Sequence, residues 1–111
     1  MNAPVDRGAA SLIEALSSFP KLQTVESCEG INGWAWVTFV YGEACQETWE
    51  GLAKFVFGFL GPALTGELGD RVRVSMHVTE AGLYRAEMAV CTKAIPATIK
   101  VIAKLRSEFK D

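Results

Sequence analysis

The chain has 111 residues, 50% of them hydrophobic, and its charges sum to −2 at neutral pH. That size and composition bound it to a single domain with its own core and exclude a disordered chain. The slightly acidic balance argues against a broad phosphate-tracking surface, so nucleic acid is not an expected partner.

In chain order, the first predicted element is a helix within Gly8–Phe19, where Leu12, Ile13, Leu16 and Phe19 form one apolar stripe. Ser11 and Glu14 suit a capping box for a late start, Asp6 suits a cap for an earlier one, and Pro20 stops the helix. Two strands are predicted near Leu22–Cys28 and Trp34–Tyr41, joined by a turn over Glu29–Gly33. A second helix is expected over about Glu47–Leu60. Its Phe55, Phe57 and Phe59 spread apolar surface beyond the main stripe, so it should be central or covered by a second copy. Gly61-Pro62 weakens it, and Thr65–Asp70 reads as a loop.

The next two strands, Arg71–Thr79 and Leu83–Thr92, flank Glu80-Ala81-Gly82, a loop suited to a type I turn closed by a G1 bulge. The last helix opens at Pro96, with Ile99, Ile102, Leu105 and Phe109 on one face. The order α-β-β-α-β-β-α defines an α+β two-layer sandwich, a four-stranded, mainly antiparallel sheet with its helices on one face. The repeated α-β-β unit suggests an internal duplication.

Pairing Thr79 with Leu83 puts Val72, Val74, Met76 and Val78 on the core face, with Tyr84, Ala86, Met88 and Val90 opposite them. The other face then carries Arg71, Arg73, Ser75, His77, Arg85 and Glu87. In the first hairpin a five-residue loop pairs Cys28 with Trp34, sending Val25, Ala35, Val37, Phe39 and Tyr41 to the core. Thr24, Glu26, Cys28, Trp34, Trp36 and Thr38 point away; a slip of one residue would invert both sets. Two indoles on an open face add roughly 300–500 Å² of mostly apolar surface, which calls for a cover. The expected cover is a second copy of the chain, packed sheet to sheet or through the Phe-rich helix. A groove between such sheets, lined by Arg71, Arg73 and Arg85, suits a small anionic ligand.

An enzyme is the alternative. His77, the only histidine, is expected opposite Arg85 and diagonal to Glu87, and a His–carboxylate pair can act in acid–base catalysis. Cys28, where the first strand should meet its loop, is a possible nucleophile if a base stands near it. An ordinary strand histidine and a small strand-end thiol are the commoner fates of such residues. A third reading has the Trp face stack RNA bases, against which stand the net charge and the lack of an RNP-like motif. Glu26, Glu29, Asp70, Glu80 and Glu87 make no spaced metal signature, and the glycines make no phosphate loop, so neither metal nor cofactor is expected.

Met1–Gly8 lacks the basic and apolar regions of a secretory signal, and Phe55–Leu64 is too short to span a bilayer. Cys28, Cys45 and Cys91 are widely spaced and odd in number, as expected of free thiols in the cytoplasm. Leu12–Val40 resembles the early part of the wybutosine-synthesising tRNA methyltransferase family, in which a helix leads to a Thr-x-Ser-Ser-Cys-Ser-Gly-Arg motif and then a strand. In Thr24-Val25-Glu26-Ser27-Cys28-Glu29-Gly30, Ser27, Cys28 and Gly30 match the motif, while Glu26, Glu29 and Ile31 stand in place of its Ser, Ser and Arg. The resemblance implies a local α-β-β arrangement. No activity, cofactor or site residue is carried over from it.

Overall fold

The computed structural model describes residues 7–31, 33–42 and 49–109. Its helices are α1 (Arg7–Leu16), α2 (Trp49–Phe55), α3 (Gly61–Leu68) and α4 (Ile95–Glu108). Its strands are β1 (Leu22–Ile31), β2 (Trp34–Tyr41), β3 (Val72–Val78) and β4 (Tyr84–Cys91). The strands form one four-stranded sheet in the order β1-β2-β4-β3, with every neighbouring pair antiparallel. This is the expected α+β sandwich. The predicted Asp6 cap, the Asn32 turn position, Cys45 and the start of the second helix at Glu47 lie outside the described residues.

The β3–β4 hairpin has the predicted register, from Val72 opposite Val90 to Val78 opposite Tyr84. Its turn closes when the Thr79 N–H donates to the Leu83 carbonyl (2.8 Å) and the Gly82 N–H to the Thr79 carbonyl (2.9 Å). Gly82 sits at φ 80°, a conformation that glycine adopts without the steric cost a Cβ would bring.

The β1–β2 hairpin departs from expectation. β1 runs on to Ile31, which pairs with Trp34, so Cys28 lies opposite Trp36 rather than Trp34. A shift of two residues leaves Glu26, Cys28, Trp34 and Trp36 on their expected face, whereas a shift of one would have exchanged the faces. Bulges fall between Thr24 and Glu26 and between Glu29 and Ile31. The first bulge corrects two placements. Thr24 lies opposite the core residue Phe39, and Val25, expected in the core, is 44% exposed. Thr38 fastens this bulge, its hydroxyl accepting the Glu26 N–H at 3.1 Å and donating to the Glu26 carbonyl at 3.5 Å.

The second helix does not stop at Leu60. A π turn over Val56–Leu60 joins α2 to α3, so Thr65–Leu68, expected as loop, is helical. The wide turn explains how the helix continues past Pro62, which has no N–H to donate and in a plain α-helix would clash with the carbonyl four residues back. Here Pro62 stands at the first turn of α3, where the missing donor costs little. Gly61 donates its N–H to the Val56 carbonyl, and a Cβ at Gly61 would lie 2.6 Å from that oxygen. α1 starts at Arg7, so Ser11 lies inside the helix and is not its cap.

The core lies between the helical layer and one sheet face. Ala35, Val37 and Phe39 of β2 and Ala86, Met88 and Val90 of β4 meet Leu12, Leu16, Leu60, Leu64 and Ile102. An aromatic knot closes one end. Phe19 makes edge contacts with Phe55 and Phe109, and Tyr41 stacks on Phe55 at 3.9 Å. Phe55 and Phe59 are thus used inside the chain, the first of the two outcomes expected for so apolar a helix, while Phe57 is 51% exposed. Among the described residues no helix is long and apolar enough to cross a membrane.

Candidate functional site

On the face turned away from the helices, antiparallel pairing sets side chains in cross-strand rows. One row runs Cys28, Trp36, Ala89, Arg73, and the next runs Glu26, Thr38, Glu87, Ser75. Trp34 lies opposite Cys91 at one end of the face, and His77 lies opposite Arg85 toward the other. Both indoles alternate along β2 with the sealed residues Ala35, Val37 and Phe39, which fixes their direction away from the helical layer. Trp34 and Trp36 are half-buried, as are Ala89, Cys91, Glu87 and Arg85 on the central strand beside them. Residues on the edge strands, Glu26, Arg73 and His77, are exposed.

Arg73 reaches diagonally over this surface, its guanidinium carbon 4.7 Å from the centre of the Trp34 ring. The ring's negative face attracts the cation, and the planar guanidinium covers part of the indole. The arrangement leaves Ala89 and Cys91, two small side chains, beside two large ones. Sequence reasoning places Arg85 and Glu87 of this strand on the open face but does not include Ala89 and Cys91 in the candidate site. The same alternation, carried two steps further, reaches both.

Arg71 is not part of this face. It belongs to the 3₁₀ turn Gly69–Arg71, ahead of the ladder, and its Nε–H donates to the Leu68 carbonyl at 3.1 Å. That bond caps the end of α3, whose last carbonyls lack intrahelical donors. Cys28 is also placed differently from expectation. β1 extends to Ile31, so Cys28 lies within a strand opposite Trp36 and not at a strand end. His77 and Glu87 are diagonal neighbours, as expected. Among the described residues no hydrogen bond or ion pair is found between them.

A shallow cleft of about 460 Å³ opens among Gln23, Thr24, Val25, Val40, Leu83 and Arg85. Within it, the Arg85 side chain donates to the Tyr84 carbonyl at 3.3 Å. The clefts found between the helices are lined by none of the expected site residues. Among the described residues no three His, Cys, Asp or Glu side chains gather as a metal site would require. No protein-family model, no curated protein and no solved structure matches this chain.

Proposed function

We propose that this is a self-associating interaction domain whose open sheet face docks a second copy of the chain. The observation that carries the reading is the placement of Trp34 and Trp36, side by side on a sheet face that none of the described helices covers. Half-buried indoles gain hydrophobic free energy when the remaining water is removed, at about 25 cal/mol per Å² of apolar surface. Exposed patches of this kind mark association surfaces on soluble proteins. Val25 and Leu83, exposed near Arg85, add a second apolar area beyond the polar row of Glu26, Thr38, Glu87 and Ser75. Twofold dimers are the commonest oligomers, which favours a second copy as the occupant. Free thiols at Cys28 and Cys91 suit the reducing, cytoplasmic setting of this reading.

Light scattering across micromolar concentrations is the direct test. A mass of two chains is expected, falling to one in Trp36→Ala with the circular dichroism of the fold retained. A folded wild-type monomer at every concentration rejects the reading.

The cleft beside Arg85 favours a second element of the same function, a small anionic ligand. A guanidinium at the rim of a partly apolar cleft suits a carboxylate or phosphate group. Titration calorimetry with small carboxylates and inorganic phosphate should show binding that Arg85→Ala abolishes. Heats that do not differ between wild type and variant count against it.

A further inference from the structure

Resting on the reading of the open face as an interface between copies, we infer that the two chains are related by a twofold axis parallel to the strands, running between β2 and β4, so that each Trp36 seats on the partner's Ala89. Sheets that pack face to face align their strands within about 30° and lie about 10 Å apart. A twofold axis midway between two aligned copies runs either along the strands or across them. The axis along the strands keeps every cross-strand row level and sets β2 over the partner's β4. It also sets β1 over the partner's β3. The axis across the strands sets each strand over its own copy.

Side-chain size favours the axis along the strands. Each indole of β2 has a small residue beside it on β4, Trp36 with Ala89 and Trp34 with Cys91. With β2 over the partner's β4, each indole meets a small side chain, Ala89 or Cys91, as interdigitating layers require. Strand-on-itself packing wastes this match, since large residues of β2 then lie over the partner's β2.

The charges on the two edge strands point the same way. The exposed β3 edge carries Arg73, and the exposed β1 edge carries Glu26. The axis along the strands brings Arg73 over the partner's β1, within one row of the partner's Glu26. The axis across them brings Arg73 toward its own copy and Glu26 toward its own, and like charges facing each other across an interface oppose docking. In the single chain Arg73 stacks on Trp34. To admit the partner's indoles it leaves that ring and swings to the edge where the partner's Glu26 offers a carboxylate. An exposed cation–π contact is weak enough to be exchanged for an ion pair at the rim of an apolar interface.

The test is complementation. Trp36→Glu and Ala89→Lys each spoil the contact when every chain in solution carries the change, and each is expected to run as a folded monomer. Mixed in equal amounts they are expected to form a heterodimer, since one contact then sets the introduced carboxylate against the introduced ammonium and the other remains Trp against Ala. Mass by light scattering or native mass spectrometry reads the outcome. Monomers that stay apart on mixing, beside a dimeric wild type, overturn this axis but not the interface. A monomeric wild type overturns the interface and the axis with it, as do variants that both remain dimeric. Should either variant fail to fold, Arg73→Glu, Glu26→Arg and the double exchange take their place. Each single change should weaken the dimer at least tenfold and the double exchange should restore it; no restoration again rejects the axis.

Discussion

The two faces of the sheet are made by the same strands, yet they do different work. Along β2, Ala35, Val37 and Phe39, turned toward the helices, are sealed, each 0% exposed. The residues between them, Trp34, Trp36 and Thr38, remain half in water. Stability is therefore concentrated on one side, where apolar side chains from α1, α3 and α4 complete the packing. The open side contributes less to holding the chain together, and its large aromatic residues stay partly in water. The contrast teaches that size alone does not assign a role. Phe39 and Trp36 are both bulky aromatics on one strand, three positions apart, and the parity of their positions separates core from surface.

That contrast gives the largest expected effect. Phe39→Ala should cost about 3–5 kcal/mol in urea unfolding, because it removes a fully buried ring and leaves a cavity. Trp36→Ala should cost about 1 kcal/mol or less when both chains are unfolded below the concentration at which the wild type associates, where no dimerisation free energy adds to its stability, while abolishing association at higher concentration. Equal losses of stability at the two positions would show that the open face belongs to the core of each chain, and the distinction between the faces would fail.

The helical layer supplies the next test, because it is what makes one face a core. Gly61→Ala should destabilise by about 1–3 kcal/mol, since its Cβ would press against the Val56 carbonyl at 2.6 Å and the backbone cannot give easily. Gly66→Ala in the same helix meets nothing within 4 Å and should instead stabilise by about 0.5–1 kcal/mol. Opposite signs in paired thermal melts are the expected result. A stabilising Gly61→Ala would mean that the π turn is not held in this form.

These two glycines show what a sequence can and cannot disclose. The register of the β3–β4 hairpin was legible, because Arg73, Ser75 and His77 alternate strictly with valine and methionine and because Gly82 marks the turn, although Val78, expected on the core face, is 54% exposed at the strand's end. The π turn was not. Gly61-Pro62 properly reads as a break in an α-helix, and nothing local announces that one wider turn will carry the helix past it. The bulge at Val25 was hidden for another reason. The hydroxyl that holds it belongs to Thr38, on the next strand. At the candidate site, the outward direction of Trp34 and Trp36 followed from alternation alone. The stacking of Arg73 on Trp34 did not, because a diagonal reach depends on side-chain conformation and not on pairing. Arg71 was misplaced because its partner, the Leu68 carbonyl, exists only if α3 ends there.

The smallest expected effect tests the open face in a single chain. Gly82→Ala, at φ 80° in the loop between β3 and β4, gives a reference of about 1–2 kcal/mol for a purely local strain. Arg73→Ala should fall below it, at about 0.5 kcal/mol, when both are measured in a Trp36→Ala background that stays monomeric. The measure more specific to Arg73 is optical. Removing the guanidinium that lies 4.7 Å from Trp34 admits water to that ring, so its emission should shift to longer wavelength. Arg73→Lys should shift it partway, since an ammonium keeps the charge but cannot lie flat on the indole. If neither substitution moves the emission, Arg73 does not cover Trp34 in solution. The open face would then present its indoles without a movable cover, and docking would require no rearrangement.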